Sequence, residues 1–312
     1  MSQKDEFLVQ VAELYYQQNL NQQEIAKIFN ISRPTVSRLL EEARQRKIVE
    51  IIIHSPIAKN YELSEAVREA YGLKNCIVID SRAGYQDTLK SCSTAAANFP
   101  HSVLDSNLVL AVSWGSAITY LAQVLEPRTY NNVHVVQMVG CLAAGNPQQD
   151  GIEISMKIAQ KLGAGYSNIF APVFVNSELM AAHFLEEPRI VSTMEKINIA
   201  DIAIMGIGSV GDKNSILSTT ESVLPHEWKM LKEKGAQGHL LARMFDEEGK
   251  EIPIPGKNAV SPPLDTLKKI RWTIGIAVSA RKAAAVSAAV RAGYINSLVI
   301  DDGLAEALLN KN

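Results

Sequence analysis

The chain has 312 residues, 47% of them hydrophobic, and 31 basic against 33 acidic residues give a formal net charge of −2. This length predicts a small module joined to a larger domain of about 250 residues, and the charge excludes a global positive field that would draw the protein to nucleic acid. No segment approaches the roughly 18 consecutive apolar residues of a membrane helix, and the N-terminus lacks the pattern of a signal peptide. We therefore expect a cytoplasmic protein that does not bind a membrane.

Residues 1–54 are predicted to form a DNA-binding domain of the helix-turn-helix type. Asn21, with a glutamate three residues later, has the spacing of a capping box, and Ser32 is a typical N-cap for the helix that follows. An earlier amphipathic helix over residues 7–18 supplies the apolar face that such a domain needs for its core. Residues 48–54 are rich in isoleucine and predict a strand or small wing that closes the domain.

The second helix of this motif has the residues that are predicted to contact DNA, because a recognition helix meets base edges and phosphates with its N-terminal tip. The predicted DNA-binding residues are Arg33, Pro34, Thr35, Ser37 and Arg38. Basic residues outnumber acidic ones over residues 33–47, but so small a patch binds DNA weakly at physiological salt. The expected partners are therefore operator DNA and further copies of the chain on paired half-sites. The alternative is an ordinary helical hairpin whose charges are merely solvated.

Beyond a short polar stretch at residues 54–60, apolar strand-like runs alternate with helix-like segments. This alternation predicts an α/β domain over residues 61–312, with a mostly parallel sheet covered on both faces. The predicted strands cover residues 76–80, 108–113, 133–138, 202–206, 273–278 and 298–301. The predicted helices cover residues 86–100, 152–162, 282–292 and 305–309, with a further helix that begins at Ser116. Residues 211–270 lack a clear period and predict a smaller subregion.

Four turns that follow predicted strands are candidate ligand-binding loops, because open α/β sheets bind ligands at the carboxyl ends of their strands. The turn at 113–116 opens a helix and offers hydroxyls and N–H groups to a phosphate, and the turn at 279–282 adds two cations. The other two, at 140–146 and 206–209, consist mainly of small residues. The candidate residues are Ser113, Trp114, Gly115, Ser116, Gly140, Cys141, Gly208, Ser209, Arg281 and Lys282. Together they favour a phosphorylated ligand, although the first turn alone is as typical of close packing.

Residues 206–211 also match the GxGxxG fingerprint of dinucleotide-binding proteins. No apolar-periodic helix follows this run, and it lies late in the domain, whereas the fingerprint belongs to the first strand. A nicotinamide cofactor is therefore not expected.

The cysteines and histidines form no pattern typical of a metal site or of a disulfide framework. Cys76, Cys92 and Cys141 are widely spaced and odd in number, so free thiols in a reducing compartment are expected. His226 and Glu227 lack the second histidine one helical turn later that a zinc protease needs. The sequence predicts no metal and no other cofactor.

The head and these body segments together resemble the SorC family of bacterial transcriptional regulators, which is also grouped with the deoxyribonucleoside regulators. The matching segments are LYYQQNLNQQEIAKIFNISRPTVSRLLEEAR at 14–44, VSWGS at 112–116, VVQMVG at 135–140, MGIGS at 205–209, RMFDEEG at 243–249 and RAGYINSLVIDDGLAEALL at 291–309. The resemblance covers nearly the whole chain. It implies an effector domain similar to sugar-phosphate isomerases, a head of the type found in repressors, a tetramer, and DNA binding tuned by a phosphorylated sugar or a related polyol. The ligand contacts that it implies are Ser113, Gly115, Ser116, Gly140, Cys141, Gly208, Asp246 and Lys282.

Three positions depart from the family pattern and leave the identity of the ligand open. Gly238-His239-Leu240 stands where the family usually reads Gly-Asp-Ile, and Cys141 stands where a second glycine often follows. The late turn of the family usually has two glycines before its lysine, and here residues 278–282 read VSARK.

The sequence is compatible with two functions. The favoured one is a DNA-binding transcriptional regulator of a carbohydrate catabolic operon, in which the body binds an effector and shifts the arrangement of the heads. The alternative is a sugar-phosphate isomerase with an accessory DNA-binding head, which would need a base positioned over the sugar carbons. Asp201 and Asp246 are available, but no acid–base pair stands out beside the small-residue turns. We therefore predict that the protein is not an enzyme and has no catalytic residues.

Overall fold

The computed structural model describes residues 3–49, 58–103, 106–142 and 147–311. The chain divides into two compact units, residues 1–56 (the head) and residues 57–312 (the body), and the predicted boundaries at 54 and 61 lie on either side of this division. Within the described ranges, no helix combines the length and the apolar character that crossing a membrane requires.

The head consists of three helices, α1 (Gln3–Tyr16), α2 (Gln22–Ile28) and α3 (Arg33–Gln45). The predicted capping box is formed at the start of α2. The Asn21 side chain accepts hydrogen bonds from the N–H groups of Gln23 and Glu24 at 3.0 Å each, and the Glu24 carboxylate accepts the Asn21 N–H at 2.8 Å. Apolar side chains from all three helices form one core, which contains Val11, Ile25, Ala26, Val36 and Leu40. This packing fixes α3 by its buried face and leaves its other face exposed.

The strand predicted over residues 48–54 is wrong where the structure describes it. The N–H groups of Ile48 and Val49 both donate to the carbonyl oxygen of Ala43, at 2.9 and 3.2 Å, so these residues close the end of α3. Residues 50–54 lie outside the described ranges.

The body alternates strands and helices. In chain order the strands are β1 (Asn75–Ile79), β2 (Val109–Val112), β3 (His134–Gln137), β4 (Gly165–Ser167), β5 (Phe174–Val175), β6 (Ile202–Gly206), β7 (Gly208–Ser209), β8 (Gly238–Leu240), β9 (Arg243–Phe245), β10 (Glu251–Ile252), β11 (Asn258–Ala259), β12 (Trp272–Ala277) and β13 (Ser297–Asp301). The helices are α4 (Tyr61–Tyr71), α5 (Tyr85–Val103), α6 (Ser116–Val124), α7 (Gly151–Leu162), α8 (Glu178–Glu186), α9 (Pro188–Asn198), α10 (Ile216–Thr219), α11 (Pro225–Glu233), α12 (Ala283–Arg291) and α13 (Asp302–Leu309). Short 3₁₀ segments occur at Pro147–Gln149, Leu264–Lys269 and Ala280–Lys282.

Seven strands form one sheet in the order β1-β13-β12-β6-β2-β3-β4, and every neighbouring pair is parallel. This confirms the predicted α/β class. The central strands are buried on both faces: in β6, Ala203 and Met205 pack into one hydrophobic cluster while Ile202 and Ile204 pack into the other. From β2 the chain continues to β3 and β4 on one side of the sheet, and from β6 it continues to β12 and β13 on the other side. The strand order therefore reverses between β2 and β6, and open α/β sheets bind ligands in the crevice at such a switch point.

The predicted smaller subregion contains most of a second, antiparallel sheet in the order β10-β9-β8-β7. Strand β7 continues from β6 after the single residue Ile207, which sets this second sheet at the carboxyl end of the parallel one. Strands β5 and β11 pair separately as a two-stranded sheet. The ligand-binding end of the body is therefore bounded by residues from both of the larger sheets.

Candidate functional site

A cavity of about 610 Å³, its open mouth included, lies at the carboxyl ends of β2, β6 and β12. Its wall combines the turn after β2, the end of β6, the segment that leads into α10, strand β8 and the turn before α12. The lining residues include Tyr85, Ser113, Trp114, Gly115, Ser116, Gly206, Gly208, Asn214, Ser215, His239 and Lys282. The cavity therefore lies at the switch point of the sheet.

The turn after β2 brings the start of α6 to the cavity wall. Gly115 is the N-cap of α6 and has φ +107°, a conformation that an L side chain rarely adopts. Trp114 is buried, and its indole N–H donates to the carbonyl oxygen of Gly140 at 3.1 Å, which fixes the turn against the neighbouring loop. The side chain of Ser113 is buried beside it, and Ser116 begins the helix. The positive end of the α6 dipole and two serine hydroxyls therefore lie at the cavity.

Lys282 is the one charged side chain among the described residues of the cavity wall. It is 7% exposed, and its Nζ donates to the carbonyl oxygen of Ile207 at 3.0 Å. The Oδ2 atom of Asp212 lies 3.7 Å from the same Nζ. Burial lowers the pKa of Lys282, while the Asp212 carboxylate opposes that shift. The charge of Asp301 acts on this lysine in the same direction as that of Asp212. Lys282 therefore sets a buried amine, with one carbonyl acceptor and carboxylates nearby, at the cavity wall.

His239 is a wall residue that sequence reasoning did not assign to the site. Its Nε2 lies 2.9 Å from the hydroxyl oxygen of Ser215, and its ring fits because Gly208 has no side chain: a Cβ there would lie 1.9 Å from Nε2. Burial, together with the nearby charge of Lys282, lowers the pKa of His239 to about 3. The ring is therefore neutral at physiological pH. The one sequence signal was the departure from Gly-Asp-Ile at positions 238–240.

Six of the predicted effector residues line the cavity, namely Ser113, Trp114, Gly115, Ser116, Gly208 and Lys282. The structure sets the other five away from its wall. Gly140 instead supports the site as the acceptor of the Trp114 bond, and the thiol of Cys141 donates to the carbonyl oxygen of Ile169 at 3.4 Å. Ser209 is buried in β7 outside the lining residues.

Asp246 and Arg281 were predicted to contact the effector, but in the structure neither side chain lines the cavity, for a clear physical reason. The Asp246 carboxylate accepts the N–H groups of Glu248 and Lys250 at 3.0 and 2.8 Å, so it holds the turn between β9 and β10. Arg281 is exposed, whereas the next residue, Lys282, is buried at the cavity. Adjacent residues at the start of a helix point in different directions, and only one of these two cations faces inward.

In the head, the arginines of α3 that form no ion pair with a described residue lie in the N-terminal half of the helix. Arg33, Pro34, Ser37 and Arg38 are exposed, while Thr35 is half-buried and its hydroxyl lies 2.8 Å from that of Ser32. Arg33 and Arg38 form no ion pair with a described residue. Arg44 and Arg46, by contrast, pair with Glu41 and with Asp5 and Glu42 respectively.

A helix-turn-helix head and an α/β body with a partly polar cavity, joined in one chain, define the class of transcriptional regulators that respond to a small ligand. The family profile described as "putative sugar-binding domain" matches residues 55–310, and the profile for region 4 of sigma-70 matches residues 10–46. The chain is 30% identical to the transcriptional regulator LsrR of Escherichia coli over 312 residues, which is 98% of this chain and 95% of that protein. It is 27% identical to the deoxyribonucleoside regulator of Bacillus subtilis, over 99% and 98% of the two chains.

The crystal structure of the full-length sorbitol operon regulator SorC from Klebsiella pneumoniae superposes with a TM-score of 0.73. It is 25% identical and covers 99% of this chain and 100% of that one. The chain belongs to the SorC family, whose members share this sugar-binding domain. It is a DNA-binding transcriptional regulator and not an enzyme. The alternative hypothesis of a sugar-phosphate isomerase with an accessory DNA-binding head is therefore wrong.

Proposed function

We propose that this protein regulates a carbohydrate catabolic operon in the bacterial cytoplasm, and that a phosphorylated sugar or a related polyol in the cavity controls its binding to operator DNA. The proposed DNA contacts are Arg33, Pro34, Ser37 and Arg38 on α3, with Thr35 holding the start of that helix. The proposed effector contacts are Ser113, Gly115, Ser116, Ser215, His239 and Lys282. The active form is a homo-oligomer, with a tetramer as the expected size.

The observation that carries the effector class is the pairing of a buried cation with a helix N-terminus across one cavity. Lys282 is buried with an incomplete set of acceptors, and the nine-residue helix α6 begins at Ser116 on the wall. A phosphate would accept hydrogen bonds from the N–H groups of that helix and from the serine hydroxyls. It would also replace the distant Asp212 carboxylate as the partner of Lys282.

The rest of the wall suits the hydroxyl groups of a sugar. Ser215 and the neutral His239 form a hydrogen-bonded pair that can both donate to and accept from a ligand hydroxyl. Tyr85 and Asn214 line the same cavity. Burial, with the nearby carboxylates of Asp212 and Asp301, raises the pKa of Tyr85 to about 12, so its phenol stays protonated and can donate. This polar set supports a polyhydroxyl ligand over an apolar one.

A thermal-shift screen tests the effector class. The probes are glucose 6-phosphate, fructose 6-phosphate, fructose 1,6-bisphosphate, ribose 5-phosphate and glycerol 3-phosphate, each beside its unphosphorylated parent. A cognate ligand at 100 times its Kd adds about 2.7 kcal/mol to the free energy of unfolding. We expect at least one phosphate ester to raise the Tm while its parent does not. Stabilisation by the parents alone would contradict the phosphate assignment.

The homo-oligomer follows from the small size of the DNA-binding patch. Of the basic residues of α3, only Arg33 and Arg38 are exposed and form no ion pair with a described residue, and Lys47 just beyond the helix is the one further such cation of the 33–47 patch. So few phosphate or base contacts give weak binding at physiological salt. Light scattering on the full chain should therefore give a mass of at least two subunits at micromolar concentration. A monomer under these conditions would refute this part of the proposal.

A further inference from the structure

The two edges of the parallel sheet differ in how they are protected. Along β1, the chain around Lys59 runs beside the strand: the N–H of Asn60 donates to Val78 at 2.9 Å, and the N–H of Asp80 donates to Ala58 at 3.1 Å. Strand β4 pairs with β3 on one side, and no strand among the described residues pairs with its other side. Proteins usually protect such an edge by keeping the strand very short, with lysine or proline, with a bulge, or by covering it. Strand β4 reads Gly-Tyr-Ser: it is short, but it has no lysine or proline on this edge.

An open groove of about 890 Å³ lies next to this edge. We call it the β4 edge surface, and its residues are Glu153, Met156, Lys157, Gln160, Ala164 and Tyr166. Met156 is 43% exposed and Tyr166 is 47% exposed, so two large apolar side chains from different elements face solvent in one place. Such a patch, beside a strand edge that no described strand pairs with, is typical of a surface that a partner covers.

The charges of the β4 edge surface indicate which partner fits. Glu153 and Lys157 lie one helical turn apart on the exposed face of α7, and neither forms an ion pair with a described residue. The surface has one charge of each sign, so it is complementary to itself. If two copies met across a two-fold axis through the middle of this face, their α7 helices would lie antiparallel. Glu153 of each subunit would then lie opposite Lys157 of the partner subunit.

We propose that the β4 edge surface is a homodimer interface, in which a second copy of this chain packs across a two-fold axis with Met156 and Tyr166 in the centre and the Glu153 and Lys157 pairs at the rim. This inference rests on the homo-oligomer of the proposed function and names the surface that forms it. The arrangement covers the exposed strand edge and the exposed apolar side chains in one step.

The same helix connects this interface with the effector cavity. Asp150 is the N-cap of α7, and its Oδ2 accepts the N–H of Leu142 at 2.9 Å. Just before it, the carbonyl oxygen of Gln149 accepts the N–H of Gly115 at 3.4 Å, and that of Gln148 accepts the Thr119 hydroxyl at 3.1 Å. The turn that begins α6 at the cavity wall is therefore bonded to the segment that begins α7. A ligand that moves this turn shifts α7 and with it the contact between subunits.

A charge-swap experiment on the full chain tests the interface by sedimentation equilibrium. Glu153→Lys sets two lysines against each other across the axis, and Lys157→Glu sets two glutamates together. Each single variant should raise the dissociation constant of this contact roughly tenfold or more. The double variant restores opposite charges and should return the constant to within about threefold of the wild type. Glu233→Lys, at an exposed residue of α11, makes the same change of charge elsewhere and should have no effect.

The outcomes separate this inference from the proposed function. A wild-type monomer at micromolar concentration would overturn both the homo-oligomer and the interface. A wild-type oligomer that both single variants leave intact, or a double variant that fails to recover, would overturn only the β4 edge surface as its interface. Circular dichroism of each variant verifies that the fold is kept, and Met156→Lys gives an independent apolar test at a side chain that is already 43% exposed.

Discussion

Replacing Lys282 by methionine should remove the effector response while leaving operator binding in place. Methionine keeps the length of the buried side chain and removes its charge, so the cavity keeps its shape. The bond from Nζ to Ile207 is lost, and the Asp212 carboxylate, whose side chain is 17% exposed, can turn towards solvent. Because burial already disfavours the charged amine, we expect the free energy of unfolding to fall by less than about 2 kcal/mol or even to rise.

The effect on the effector is larger, because the phosphate loses a charge-assisted hydrogen bond. Such a contact is worth about 1.5–3 kcal/mol, which is roughly a tenfold to hundredfold loss of affinity. Titration calorimetry with the phosphate ester found by thermal shift measures this loss directly. Gel shifts with operator DNA should show normal binding that the effector no longer changes. Arg281→Ala is the matched control, since it removes a neighbouring cation that is exposed. Full effector affinity in both variants would refute the site.

Three further predictions concern the head and the cavity wall. Arg33→Ala and Arg38→Ala should each cost about 1–3 kcal/mol of operator binding if the residue reads a base, or lower the salt slope by about one if it contacts a phosphate, as gel shifts over several salt concentrations would show. His239 has a pKa near 3 in the folded chain, against an ordinary value of 6.5. The unfolded chain therefore binds a proton below pH 6.5 that the folded chain does not, and this destabilises the protein by about 1.4 kcal/mol between pH 7.5 and 5.5. Urea unfolding should show that His239→Gln lacks this loss. Gly208→Ala should destabilise the body by about 1–3 kcal/mol, because the new Cβ would overlap the His239 ring. Gly206→Ala, with nothing within 4 Å, is its control, and equal Tm values for the two variants would contradict the packing argument.

The parallel sheet could be predicted from the sequence because its strands are continuous apolar runs. Strands β1, β2, β3, β6, β12 and β13 lie within one or two residues of their predicted bounds. Strand β4 and the strands β7 to β11 have two or three residues each, which is too short for a period to appear. Their positions depend on long-range pairing, such as that of β7 with β8, which no local pattern records.

The same distinction explains which site residues were found. Ser113, Ser116 and Lys282 follow strands of the main sheet, so the rule that ligands bind at strand ends was enough to predict that they line this cavity. His239 and Ser215 reach the cavity through the second sheet and the segment before α10, and the sequence gives no sign that these segments meet the first. Asp246 and Arg281 were misleading because their residue types suit a polar ligand while their backbone positions direct them elsewhere.

Two of the three departures from the family pattern, at His239 and in the turn before Lys282, lie beside the same part of the cavity. In the late turn, Ser279 has φ +94°, a conformation that costs a residue with a side chain about 1–3 kcal/mol. It is held by the bond from its N–H to the Asp301 carboxylate at 2.8 Å, and its own hydroxyl accepts the N–H of Arg281 at 3.4 Å. The turn that positions Lys282 is thus kept in a glycine-like shape by side-chain hydrogen bonds. His239 lies near the same lysine and is neutral at physiological pH, whereas the Gly-Asp-Ile pattern that the resemblance implies would set a carboxylate there. The VSWGS turn on the opposite side keeps the family sequence. Under the proposed function, an effector that differs from those of relatives would therefore differ where it meets His239.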